Sequence, residues 1–205
     1  EVGPNVGGLS VGDKVMMHHY TGCLQCSMCL TGYTQMCLVS HEVYGSTEHG
    51  GHQEYMLVPA YTCIPMPEGL DFVSAAACSC GTGTAFHAVK RLNPTGLDTV
   101  AIFGQGPVGL SATMFAAQLG ARVIAVDISP YRLNLASELG ASEVIDSSSH
   151  DAEQIIRELN ICFVDFIDQQ YHLFGRGKCF PELAGTDVIT NISHTAIAQL
   201  RIPKP

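Results

Sequence analysis

Lysine and arginine are scarce in this chain: 10 of 205 residues, against 19 aspartates and glutamates, for a formal net charge of -9. Nucleic-acid binding draws its affinity from Lys and Arg that neutralise phosphates, so a phosphate backbone is a poor partner here. No apolar run reaches the length of a membrane span, which sets a membrane aside as well. These residues do not read as a secretory signal. Nine cysteines without one point to a reducing compartment, the cytoplasm, where thiols persist or bind metal. Internal repeats and low-complexity tracts are absent. Position 1 holds Glu1 rather than Met, inside what reads as a strand. The expectation is a piece of a longer protein, or a processed one.

What is present begins with hydrophobic content, 46% of residues, ample for a packed core in one large or two small domains. Cys23, Cys26, Cys29 and Cys37 follow one another as C-x2-C-x2-C-x7-C. A zinc ion with no open coordination position takes four soft ligands in a tetrahedron, and four thiolates meet that demand. Gly22 and Gly32 allow the tight turns such a lobe needs. Unpaired or disulfide-bonded cysteines are the plain alternative. A nucleic-acid-binding zinc ribbon would have two separated CxxC knuckles and a basic surface, and neither is present.

Residues 1–95 show short apolar runs broken by Gly and Pro, the punctuation of a small β-rich domain. Val11-Gly12-Asp13-Lys14-Val15 reads as a turn into a strand, and residues 50–58 as another turn and strand. From residue 71 to residue 92 the pattern turns helical, and Asn93-Pro94-Thr95-Gly96 is the expected boundary. The second domain, residues 96–170, opens with a continuous apolar run, 99–103, as a parallel strand covered on both faces requires. Strands and helices then alternate, with further strands at 122–127 and 142–145, which predicts a doubly wound parallel sheet. Residues 163–168 resemble its fourth strand. Residues 171–205 form a divergent tail, in which Gly175-Arg176, Cys179-Phe180-Pro181-Glu182 and 187–202 read as remnants of later strands.

Between the first apolar strand and the helix after it lies Gly104-Gln105-Gly106-Pro107-Val108-Gly109. A lone GxGxxG is weak, but this one leaves a strand, opens a helix, and has Asp127 ending the next strand. Gly104 permits the turn, Gly106 lets backbone approach a pyrophosphate, and Gly109 permits close packing of helix on sheet. The amides around Pro107 and Val108, at the positive end of the helix, would face the phosphates. Asp127 would accept from both adenosine ribose hydroxyls and repel a 2'-phosphate, so NAD is expected over NADP. Arg132 lies near enough to soften that preference.

Zinc lobe, linker and dinucleotide fold in this order resemble the zinc-containing medium-chain alcohol dehydrogenases, from about Glu1 to about Asp168. Val11-Gly12-Asp13-Lys14-Val15, the four-cysteine lobe and Gly50-Gly51-His52-Gln53-Glu54-Tyr55 are similar to that family's early strands, structural zinc lobe and G-G-x-x-E-Y strand. The resemblance implies a GroES-like catalytic-domain portion followed by a Rossmann domain, both incomplete. Cys80-Gly81-Thr82-Gly83-Thr84-Ala85 resembles the segment supplying the last protein ligand of the catalytic zinc. On that match Cys80 is the ligand, Thr84 packs against nicotinamide, and Cys78 is a buried small side chain. The implied chemistry is hydride transfer between an alcohol or carbonyl substrate and NAD, with zinc as Lewis acid, in a homo-oligomer. The family's other catalytic ligands, a Cys and a His-Glu pair, lie upstream of Glu1. His18, His19, His41, His49 and His52 read as surface or hydrogen-bonded residues rather than replacements. Taken alone, the chain is expected to be catalytically incomplete, and a non-catalytic zinc- and NAD-binding fragment is the alternative.

Overall fold

The computed structural model describes residues 1–158 and a strand at 196–200. It divides into two compact units, with the seam between Cys80 and Gly81. In the first, strand β1 (Val15–Met17) pairs antiparallel with β2 (Cys63–Pro65), Met16 opposite Ile64. His18 N–H to the Thr62 carbonyl at 2.8 Å and Met66 N–H to that of Lys14 at 2.9 Å lengthen the ladder at both ends. The turn expected before β1 is present: the Ser10 amide donates to the Asp13 carboxylate at 2.7 Å. Helix α1 (Ser27–Leu30) is one turn long and carries part of the cysteine lobe. Helix α2 (Phe72–Ala77) starts at Asp71, whose Oδ1 accepts the amides of Val73 and Ser74 at 2.9 and 3.0 Å. That is an N-cap, satisfying donors that have no partner within the helix.

The strand expected within 50–58 does not form. Tyr55 and Leu57 are exposed while Met56 and Val58 are half-buried, so the segment has the alternation of a strand. It has no partner ladder among the described residues, and side-chain alternation alone does not make a sheet.

A π-helical turn, Cys78–Thr82, leads from α2 into α3 (Gly83–Leu92). The seam between units lies inside this turn, one helix earlier than the boundary expected at residues 93–96. The reason is packing: Ala85, Val89 and Leu92 of α3 join Val100, Ile102, Ala112, Ala116 and Val123 in one buried cluster. Asn93 still ends the helix, in a left-handed conformation at φ 50°.

The second unit runs β3 (Thr99–Phe103), α4 (Pro107–Gln118), β4 (Arg122–Asp127), α5 (Pro130–Glu138), β5 (Glu143–Asp146) and α6 (Ala152–Glu158). β3, β4 and β5 are parallel, in the order β5-β4-β3. Val100 and Ile102 face the α3–α4 cluster, and Ala101 faces a second one built with Ile124, Val126, Ile145 and Ile156. Both faces are thus covered, which is why β3 is apolar from Val100 to Phe103. Strand β6 (Ala196–Leu200) lies beyond β3 and runs antiparallel to it, Ala101 opposite Ala198. It falls within 187–202, but its direction departs from an all-parallel sheet; an antiparallel neighbour satisfies the β3 backbone equally well. The strands expected at 163–168, 175–176 and 179–182 lie outside the described residues.

Candidate functional site

The cysteine lobe forms where α1 and the 3-10 turn Thr34–Met36 bring four sulfurs to one point. All four are free thiols, and their Sγ atoms lie within 4.8 Å of one another. Cys23 to Cys29 is 4.0 Å and Cys26 to Cys37 is 3.9 Å. Tetrahedral zinc with sulfur at about 2.3 Å sets neighbouring sulfurs at about 3.8 Å, so the donor set fits that ion. The distances are far too long for disulfides. Backbone amides point at the same sulfurs: Cys23 N–H to Cys37 at 3.3 Å, Cys26 N–H to Cys23 at 3.3 Å, and Gln25 N–H to Cys23 at 3.5 Å. Such donors favour thiolate. The Cys23 amide brings the Cys37 thiol down to about 6, and the Cys29 backbone amide lowers that of Cys26. Burial pushes Cys29 up to about 12. A metal replacing these protons is the expected partner of so crowded a set.

Two details here escape sequence reading. A Cβ on Gly22 would stand 2.7 Å from the Cys29 sulfur, so the glycine is required by contact rather than by its turn. Tyr61 clamps the same residue, its hydroxyl 3.1 Å from the Gly22 amide and 3.3 Å from its carbonyl.

The glycine-rich turn lies where β3 hands over to α4. Gly104 adopts φ 81°, open to glycine at little cost, and its amide continues the ladder to the Val126 carbonyl at 2.7 Å. Gly106 caps α4, and Pro107 fills the first helical position, where a missing N–H costs nothing. The free amides at this end therefore belong to Gly106, Val108 and Gly109, and Gly109 is buried. Asp127 ends β4 beside the turn because Phe103 and Val126 are paired. Its carboxylate is buried, accepting the Gln105 amide at 2.6 Å and the Ser129 amide at 2.8 Å. Arg132 reaches to 3.8 Å from the same carboxylate and is half-exposed. The structure thus gathers Gly104, Gly106, Pro107, Val108, Gly109, Asp127 and Arg132 in one region.

Cys80 is exposed within the π-helical turn, and Cys78 is half-buried there. π-helical turns recur at functional sites. Thr84 is exposed in the first turn of α3. Among the described residues the four-cysteine lobe is the one cluster of three or more candidate metal ligands, so Cys80 has no such company. His18 meets His19 and Tyr20 in tilted ring contacts, as Tyr20 meets His41; His18 Nε2 lies 3.4 Å from the Thr34 hydroxyl. Burial, then the neighbouring His19, lowers the His18 pKa. No helix among the described residues is long and apolar enough to cross a membrane.

Comparison with known proteins agrees with this geometry. A family model for the alcohol dehydrogenase GroES-like domain matches residues 1–68, and one for zinc-binding dehydrogenases matches residues 107–169. A zinc-type alcohol dehydrogenase-like protein of Escherichia coli, YphC, is 38% identical over 72% of this chain and 43% of its own length. An alcohol dehydrogenase of Geobacillus stearothermophilus is 36% identical over 77% of this chain and 47% of its own. The solved structure of the E. coli alcohol dehydrogenase rspB, complexed with NADH, superposes with a TM-score of 0.70 at 29% identity, covering 78% of this chain and 48% of that one. The chain spans about half the length of the curated relatives it matches, 39% to 57%. With the GroES-like match followed by the zinc-binding dehydrogenase match, and relatives of this kind on both sequence and structure, the chain belongs to the zinc-containing medium-chain alcohol dehydrogenase family.

Proposed function

We propose that the protein carrying this chain is a cytoplasmic, homo-oligomeric alcohol dehydrogenase that uses NAD. The observation that carries the reading is the buried Asp127 carboxylate set against the Gly104–Gly109 turn, which suits a ribose next to a pyrophosphate. Gly106, Val108 and Gly109 would offer amides to the phosphates, and Asp127 would accept the ribose hydroxyls, disfavouring a 2'-phosphate. Cys23, Cys26, Cys29 and Cys37 would hold structural zinc, Cys80 would contribute one ligand to a second zinc, and Thr84 would border the nicotinamide. When bound, the nicotinamide accepts a hydride and the second zinc polarises the alcohol. This chain's part is to place and orient both. The solitary exposure of Cys80 among the described residues supports a second reading, a zinc- and NAD-binding module without turnover.

Reduction of NAD by the purified protein across simple, polyol and amino alcohols, with zinc counted per chain, decides between them. Turnover of at least one alcohol with two zinc ions is expected for the dehydrogenase. Bound NADH with one zinc and no turnover would establish the module instead.

A further inference from the structure

Gln105, the middle residue of the Gly104–Gly106 turn, has a wholly buried side chain. Its Nε2 donates to the Ile102 carbonyl at 2.8 Å, and its Oε1 accepts from the Thr113 hydroxyl, itself buried, at 2.9 Å. Its main-chain N–H is the one that Asp127 accepts at 2.6 Å. One residue therefore ties the turn to β3, to the second turn of α4 and to the end of β4. The next residue is the opposite case: nothing lies within 4 Å of where a Cβ on Gly106 would stand. The turn thus has an anchored inner side and a bare outer side.

An apolar side chain of similar length would fill the same space, but it would leave the turn free to shift. A buried amide whose nitrogen and oxygen are both bonded instead specifies one geometry. We infer that Gln105 is a positioning residue for the dinucleotide. It fixes the direction of the amides at Gly106, Val108 and Gly109, and holds the Asp127 carboxylate level with them, without touching the ligand. This rests on the NAD reading above.

The test uses the full chain, with NADH and ADP-ribose affinities measured by fluorescence and calorimetric titration at a temperature where circular dichroism shows each protein folded. Gln105→Met should weaken both ligands about tenfold, because two of its three ties are lost. Thr113→Val removes one tie far from the turn and should weaken them about threefold. Variants that melt at lower temperature yet bind within about twofold of the parent would overturn the inference and leave Gln105 a packing residue. If Gln105→Met does not fold, Thr113→Val decides by the same measure. A parent chain that binds no NADH removes the cofactor reading and this inference together; unchanged variants beside a binding parent remove the inference alone.

Discussion

Between Glu1 and Cys80 the only buried hydrophobic residues are Cys29 and Ala75, whereas from Gly81 onward Val100, Ile102, Val123 and Ile124 are wholly shielded, with many others. The two units solve the cost of chain ordering by different means. The second does it by burial, each fully covered Val or Ile contributing about 1.5–3 kcal/mol. The first has a three-residue strand pair, short turns and a knot of thiols, too little apolar area to offset the entropy of its residues. A zinc in the lobe contributes on the order of 10–16 kcal/mol, the scale of a domain's whole net stability. On the proposed zinc reading, the metal would take the place of a core in the first unit.

The largest expected effect tests that contrast directly. Removing zinc with a strong chelator, or by Cys29→Ser, should abolish hydrogen-exchange protection across about residues 18–41 and leave β3, β4 and α4 protected. Equal loss in both units would refute the division. Next in size is Ile124→Ala, which opens a hole between Val126, Ile145 and Ile156. It should destabilise the second unit by about 2–5 kcal/mol in denaturant melts, with zinc content unchanged; a fall in zinc per chain would show that the units do not stand independently.

The smallest effect is one that should not distinguish the units. The Ser74 hydroxyl and amide hold the Asp71 carboxyl below its ordinary 3.8, and the Ser148 hydroxyl and amide do the same for Asp146. Both folded values are depressed, so each contribution is complete above 3.8 and lost as pH falls through the folded value. Carboxyl NMR titrations should place both midpoints under 3.8. A normal midpoint at Asp71 alone would mean that the α2 cap of the first unit is not formed.

The cysteine spacing and the Gly104–Gly109 turn with Asp127 were readable before any coordinates, because each encodes local chemistry within a few residues or a single βαβ step. The apolar runs of β3 and β4 were readable for the same reason. What sequence reasoning missed depends on partners distant along the chain. Residues 50–58 carry strand-like alternation, but alternation does not name a neighbouring strand, and Tyr55 and Leu57 stay exposed. The boundary at Asn93-Pro94 marks a helix end correctly; only the contact of Ala85 and Val89 with the α4 side chains reveals on which side of the seam α3 belongs. Gln105 fills the variable x of its motif, and only its three bonds give it a distinct part.

Gly22 and Gly106 illustrate opposite meanings of the same residue type. At Gly22 the space is already taken by a sulfur; at Gly106 it is vacant. A survey of variants scored by yield or melting point would reject alanine at the first position and accept it at the second. On the proposed dinucleotide reading, a survey scored by nucleotide capture should reject the second too, which would make tolerance at that codon a property of the assay rather than of the protein.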